Sequence, residues 1–207
     1  MKLPRLQYIT DSVENTERAC RSGVKWIQGR IKNKTTTDTK SILREIQKIC
    51  KNHQCVFVVN DFLEIALEIN ADGVHLGKND LSITEAKKII GGKNYILGGT
   101  ANTLDEVLNL EKEKVNYIGL GPMRFTSTKE KLSPILGIGG YKNILSLRRD
   151  KTIPVFAIGG IIPDDIQHLS DANAYGVAVS GFISNSTDMK NAVTEFESRF
   201  QNFFYAG

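Results

Sequence analysis

Residues 55–80 read CVFVVNDFLEIALEINADGVHLGKND, and they resolve into strand, helix and strand. Cys55–Val59 is a short run rich in β-branched residues without polar alternation, the pattern of a parallel strand covered on both faces. Phe62–Ile69 predicts a short helix, with Glu64 and Glu68 on its wet side and Leu63, Ala66 and Leu67 available for packing. Gly73–Leu76 predicts a second strand. Asp61 follows the first strand, and Asp80 follows the second after a Gly-Lys-Asn turn. Both carboxylates therefore fall on the rim that carries the C-terminal strand ends, where α/β enzymes place their chemistry. Two hard oxygen ligands facing one space suit Mg²⁺, which takes one or two carboxylates plus substrate phosphate oxygens. Plainer roles compete. Asp61 and Glu64 fit a D-x-x-E capping pattern, and Asp80 is a favourable charge near the start of the next helix.

Outward from this stretch the same unit repeats. Apolar runs predict strands at Leu6–Thr10, Val24–Arg30, Cys55–Val59, Gly73–Leu76, Tyr95–Gly98, Val115–Leu120, Ile153–Ile158 and Gly176–Ser180. Helical stretches lie between them. Thr39–Lys51 places Ile42, Leu43, Ile46, Ile49 and Cys50 on one face. Ser82 with Glu85, and Thr103 with Glu106, form capping boxes that start two more helices. The last helix, Met189–Phe203, carries Met189, Val193, Phe196, Phe200 and Phe203 on one stripe, read as core packing. Strands alternating with helices throughout 207 residues predict an α/β chain folded as a single compact (β/α)₈ TIM barrel spanning 1–207. An open doubly wound sheet is the alternative. It is weakened because no G-x-G-x-x-G follows the first strand.

Composition narrows the function classes. With 41% hydrophobic and 24% charged residues the chain reads as a globular protein with a full core. Its net charge of +4 is mild and evenly spread, which argues against nucleic acid and suits small anionic ligands. Cys20, Cys50 and Cys55 match no zinc spacing and read as reduced thiols of a cytoplasmic protein. MKLPRLQYIT has no apolar signal-peptide core, and no run is long enough to span a membrane. A homo-oligomer stays open.

The strand ends carry the rest of the chemistry. Gln28, Arg30 and Lys32 alternate along the second strand and point one way, a face suited to a polyanion. The fifth strand ends in Gly98-Gly99-Thr100-Ala101-Asn102, a tight turn with a hydroxyl. From Gly121 to Gly140 no helical or strand period is visible. Thr126, Ser127, Thr128 and Lys129 in that stretch suit a phosphate, and a lid or a plain surface loop are its two readings. The seventh strand ends in Gly159-Gly160 and the eighth in Ser180-Gly181, where barrels often seat a phosphate. Two anion sites and a divalent ion imply one phosphorylated substrate and one diphosphate. His75 and Trp26 read as packed, His53 and His168 as solvent-side.

These segments together resemble the thiamine-phosphate synthase (thiamine-phosphate pyrophosphorylase) family. The resemblance rests on YITD (Tyr8–Asp11), QGRIK (Gln28–Lys32), ND (Asn60–Asp61), ADGVHLGKNDL (Ala71–Leu81), GGTANT (Gly98–Thr103), YIGLGPMRFTSTKEKLSP (Tyr117–Pro134), AIGGI (Ala157–Ile161) and VAVSG (Val177–Gly181), in order across nearly the whole chain. It implies a transferase that joins hydroxymethylpyrimidine diphosphate to thiazole phosphate, giving thiamine phosphate and diphosphate. It implies Mg²⁺ on Asp61 and Asp80. It also implies Gln28, Arg30, Lys32, Asn60, Thr100 and Lys129 around the pyrimidine diphosphate, with Arg30, Lys32 and Lys129 catalytic. Thr126, Thr128, Gly160, Ser180 and Gly181 would hold the thiazole phosphate. The family mechanism is dissociative: diphosphate leaves first and the thiazole nitrogen attacks the resulting cation. Many members carry Glu where this chain has Ile31, which by alternation points toward the helices. The sister branch of thiazole tautomerases needs neither diphosphate site nor Mg²⁺. The retained Asp61, Asp80, Arg30, Lys32 and Lys129 argue against it, and against a catalytically silent binder.

Overall fold

Parallel strands wound into a ring bury both faces, which is why each strand here is apolar and short. The computed structural model describes residues 2–125 and 134–204, the side chains of Phe203 and Phe204 excepted. In chain order the elements are β1 (Leu6–Thr10), α1 (Val13–Arg21), β2 (Trp26–Gly29), α2 (Thr36–Asn52), β3 (Val56–Asn60), α3 (Leu63–Glu68), β4 (Gly73–Leu76), α4 (Ile83–Ile90), β5 (Ile96–Ala101) and α5 (Leu104–Lys112). They continue with β6 (Tyr117–Leu120), α6 (Gly137–Leu147), β7 (Val155–Ile158), α7 (Asp165–Asp171), β8 (Gly176–Val179), α8 (Gly181–Ser184) and α9 (Met189–Phe204). Every strand pairs in parallel with the next, and β8 returns to β1 with Leu6 opposite Val177 and Tyr8 opposite Val179. That last pairing closes the (β/α)₈ barrel and excludes the open sheet.

The core has two layers. Between strands and helices lies the larger one, with Leu43, Ile46, Leu63, Ala66, Val107, Ile166 and Phe196 all buried. The predicted stripe of α9 packs there through Met189, Val193, Phe196 and Phe200, while the Phe203 side chain lies outside the described residues. Ile31 is 3% exposed within the same layer, as strand alternation predicts. Inside the barrel Trp26, Tyr117 and Phe156 pack edge to face, with centroids 4.8–5.7 Å apart. Burying a ring such as that of Phe156 contributes roughly 1.5–3 kcal/mol. Rings this large fit because their neighbours are glycines: a Cβ on Gly98 would lie 2.3 Å from Tyr117 Cε1. Trp26 is thus interior packing, as its sequence position implies.

Both predicted capping boxes are present, at Ser82–Glu85 on α4 and at Thr103–Glu106 on α5. Three expectations need correction. Asp61 does not cap α3: Phe62 occupies the N-cap and makes no side-chain cap bond, while Asp61 sits at φ +70°. Helix α2 starts at Thr36 rather than Thr39, because the Thr35 hydroxyl accepts the Asp38 N–H and nucleates the earlier turn. Within the stretch without period, α6 already begins at Gly137; its Gly-Ile-Gly-Gly start hides the helical signal. Helix α8 is a further short helix between β8 and α9, which the sequence did not announce. Among the described residues, no helix is long and apolar enough to cross a membrane.

Candidate active site

The C-terminal strand ends surround a cavity of about 1310 Å³. Strand β2 delivers Gln28 to its wall, and the chain beyond β2 delivers Arg30 and Lys32. Strand β3 contributes Asn60 and the following Asp61, the turn after β4 contributes Asp80, and β5 contributes Thr100. Gly160, after β7, and Ser180 and Gly181, after β8, line the opposite part. Every described residue in the predicted site set therefore faces one space. Thr126, Thr128 and Lys129 lie outside the described residues; Phe125, just before them, lines the cavity.

The two carboxylates meet. The positive φ of Asp61 turns the chain so that its N–H donates to the His75 carbonyl at 2.9 Å, locking it beside β4. Lys32 Nζ donates to Asp61 Oδ2 at 2.5 Å. Asp80 accepts the Gly77 N–H at 2.7 Å, and a further hydrogen bond links the Asp80 and Asp61 side chains. Burial and then that bond to Asp61 push the Asp80 carboxyl up to about 6. For Asp61 burial works against the charge, but the bonds from Asp80 and Lys32 outweigh it and hold the group below its usual range. The two acids therefore titrate as a pair, with Asp80 taking up a proton more readily than Asp61. A hard divalent cation between them would relieve their mutual repulsion. Among the described residues no cluster of three or more His, Cys, Asp and Glu side chains could hold a metal, so the donor set is two carboxylates with room for ligand oxygens. That fits Mg²⁺ and does not fit a structural zinc.

Beside the acids, His75 is 5% exposed yet reaches the cavity wall. Its Nε2 lies 2.8 Å from Thr100 Oγ1 and its Nδ1 3.0 Å from the Tyr117 hydroxyl. Across the mouth, Gly160 adopts φ +70° with its carbonyl accepting from Arg124 Nη1 at 2.7 Å. Arg124 also pairs with Asp165 at 2.5 Å, fastening the chain after β6 to the start of α7. A Cβ at Gly160 would press on Arg124 Cβ at 3.1 Å in a conformation that L side chains rarely adopt. The Ser180 hydroxyl makes no cap bond to α8. Asn185 and Ser186, just after α8, and Asn191 and Glu195, on α9, extend the wall. The sequence reading missed Asn191 and Glu195 because it took the last helix only for its apolar stripe, and missed Asn185 and Ser186 because it did not foresee the short helix they follow.

Residues 4–183 match the family model described as thiamine monophosphate synthase. The chain belongs to this family. A relative in Flavobacterium johnsoniae, named thiamine-phosphate synthase, is 46% identical over 203 residues, covering 94% of this chain and 95% of that protein. One in Bacteroides fragilis with the same name is 38% identical over 191 residues, covering 88% of this chain and 93% of its own. A solved thiamine phosphate pyrophosphorylase from Pyrococcus furiosus superposes with a TM-score of 0.84 at 30% identity, covering 96% of each chain. The family resemblance read from the motifs is therefore correct.

Proposed function

We propose that the cavity forms thiamine phosphate by Mg²⁺-assisted, dissociative loss of diphosphate from hydroxymethylpyrimidine diphosphate, followed by capture with thiazole phosphate. The chain is an enzyme of thiamine biosynthesis, a transferase acting on small substrates. The observation that carries the finer reading is the Asp61–Asp80 pair, set beside Arg30 and Lys32 at the mouth of one cavity. Asp61 and Asp80 would hold the ion, which when bound neutralises charge on the diphosphate oxygens. Arg30 and Lys32, with Lys129, would stabilise the same charge as the carbon–oxygen bond breaks and its electron pair departs with diphosphate. Asn60, Gln28 and Thr100 would orient the pyrimidine diphosphate. Gly160, Ser180 and Gly181, with Thr126 and Thr128, would seat the thiazole phosphate so that its ring nitrogen faces the cationic methylene carbon and closes the carbon–nitrogen bond. Barrels with a short extra helix after β8 commonly bind phosphate there, and α8 is such a helix.

The test is product analysis with both substrates, in Mg²⁺ and in EDTA. Thiamine phosphate and diphosphate in equal amounts, formed only with Mg²⁺, support the reading. Interconversion of a thiazole phosphate tautomer in EDTA, without diphosphate release, would overturn it.

A further inference from the structure

Beneath the cavity a row of polar side chains runs through the barrel interior. Gln28 donates from Nε2 to Gln7 Oε1 at 3.2 Å, and Gln7 donates from Nε2 to the Tyr117 hydroxyl oxygen at 3.4 Å. Tyr117 then neighbours His75 Nδ1, and His75 Nε2 neighbours Thr100. Tyr117 is fully buried and Gln7 is 1% exposed, so neither answers to solvent. Polar groups so deep in a barrel persist when each finds a partner and the set has a use.

Proton counting gives the row a direction. Burial pushes the Tyr117 phenol up, while hydrogen bonds from Gln7 and Gln28 act the other way. The Gln7 amide N–H donates to the phenol oxygen, so the phenol's acceptor side is already engaged. The phenol's own proton then goes to its other neighbour, His75 Nδ1. An imidazole that accepts at Nδ1 carries its proton on Nε2, and Nε2–H donates to Thr100 Oγ1. A Thr100 hydroxyl that accepts from His75 keeps its own proton available to the cavity it lines. Glycines make room for this arrangement: a Cβ on Gly98 would lie 2.7 Å from His75 Nδ1, and one on Gly119 would lie 3.2 Å from His75 Cε1.

We propose that Tyr117 and His75 are positioning residues that fix the Thr100 hydroxyl as a hydrogen-bond donor to an anionic substrate oxygen. Their effect rests on the reading of Thr100 as a neighbour of the pyrimidine diphosphate. A hydroxyl free to rotate could meet the departing diphosphate with its lone pairs; a bond accepted from His75 Nε2 biases this one toward donating.

The experiment has two arms. In the first, the full chain is labelled with ¹⁵N-histidine and studied by NMR at mildly alkaline pH without ligands; the His75→Gln variant assigns the His75 ring among three histidines. A neutral ring protonated on Nε2 is expected. A ring protonated on Nδ1, or on both nitrogens, would overturn the proposal. The second arm is kinetic. Tyr117→Phe keeps the ring packing and is expected to lower kcat for thiamine phosphate formation about tenfold, the size of one misdirected hydrogen bond, with little change in KM. In a Thr100→Val background the same substitution should cost nothing further; full additivity, or an unchanged kcat in Tyr117→Phe, would overturn it. A wild-type chain that forms no thiamine phosphate would instead remove the proposed function, while the NMR arm still decides the tautomer.

Discussion

Asp61 is the residue on which the proposed chemistry turns, and its backbone separates the two roles open to it. A capping residue sits in extended conformation and accepts a helix N–H. Asp61 sits at φ +70°, and α3 takes no side-chain cap bond. Its carboxylate faces Lys32 and Asp80 instead. Asp61→Asn, which tolerates positive φ, should therefore leave urea-unfolding stability unchanged yet lower kcat by about three powers of ten, roughly 4 kcal/mol of transition-state stabilisation. Stability lost with activity retained would restore the cap. At the other anion site the backbone should matter more than the hydroxyl. Gly181 has open space toward the cavity, its hypothetical Cβ meeting only Asn185 Nδ2 at 3.7 Å. Gly181→Val would fold but fill the place proposed for phosphate. Calorimetry should show thiazole phosphate affinity falling at least about tenfold in Gly181→Val and less in Ser180→Ala. Equal affinities in Gly181→Val and wild type would contradict the placement.

At the scale of elements the caps can be tested against this contrast. The Ser82–Glu85 box satisfies N–H groups at the start of α4, and Ser82→Ala should cost about 1 kcal/mol of unfolding free energy by chemical denaturation. No loss would mean that the box is ornamental to α4. Elements were the most legible part of the sequence. All eight strands were found because a strand buried on both faces is mostly apolar. Both capping boxes read correctly because their signal is local. The start of α6 did not, since Gly137, Gly139 and Gly140 suppress helix propensity where tertiary packing nevertheless imposes a helix. At the site, the placement of Arg30, Lys32, Asp61 and Asp80 on one rim was legible because each follows a predicted strand end, and all four line the same cavity. Gln7 and Tyr117 were not legible. Within a strand a buried glutamine or tyrosine looks like any other residue until its partners across the barrel are known.

For the whole molecule, closure of the ring is what turns separate strand ends into one cavity. The interior aromatic plug supports that closure from below. Truncating a fully buried aromatic costs about 3–5 kcal/mol, so Trp26→Ala should lower the melting temperature sharply and bring activity down with it. Gly98→Val should be worse, because its side chain must displace Tyr117 from the plug. Wild-type stability in either variant would mean that the plug does not hold the barrel. The central claim, that one rim joins a metal-held diphosphate to a second phosphorylated substrate, is met most directly by a Mg²⁺ titration. Thiamine phosphate formation would be followed with both substrates in wild type and in Asp80→Asn. Saturable dependence on Mg²⁺ in wild type, with at least about a hundredfold lower kcat/KM at every Mg²⁺ concentration in Asp80→Asn, is the predicted result. Coincident titration curves for the two proteins would contradict the account.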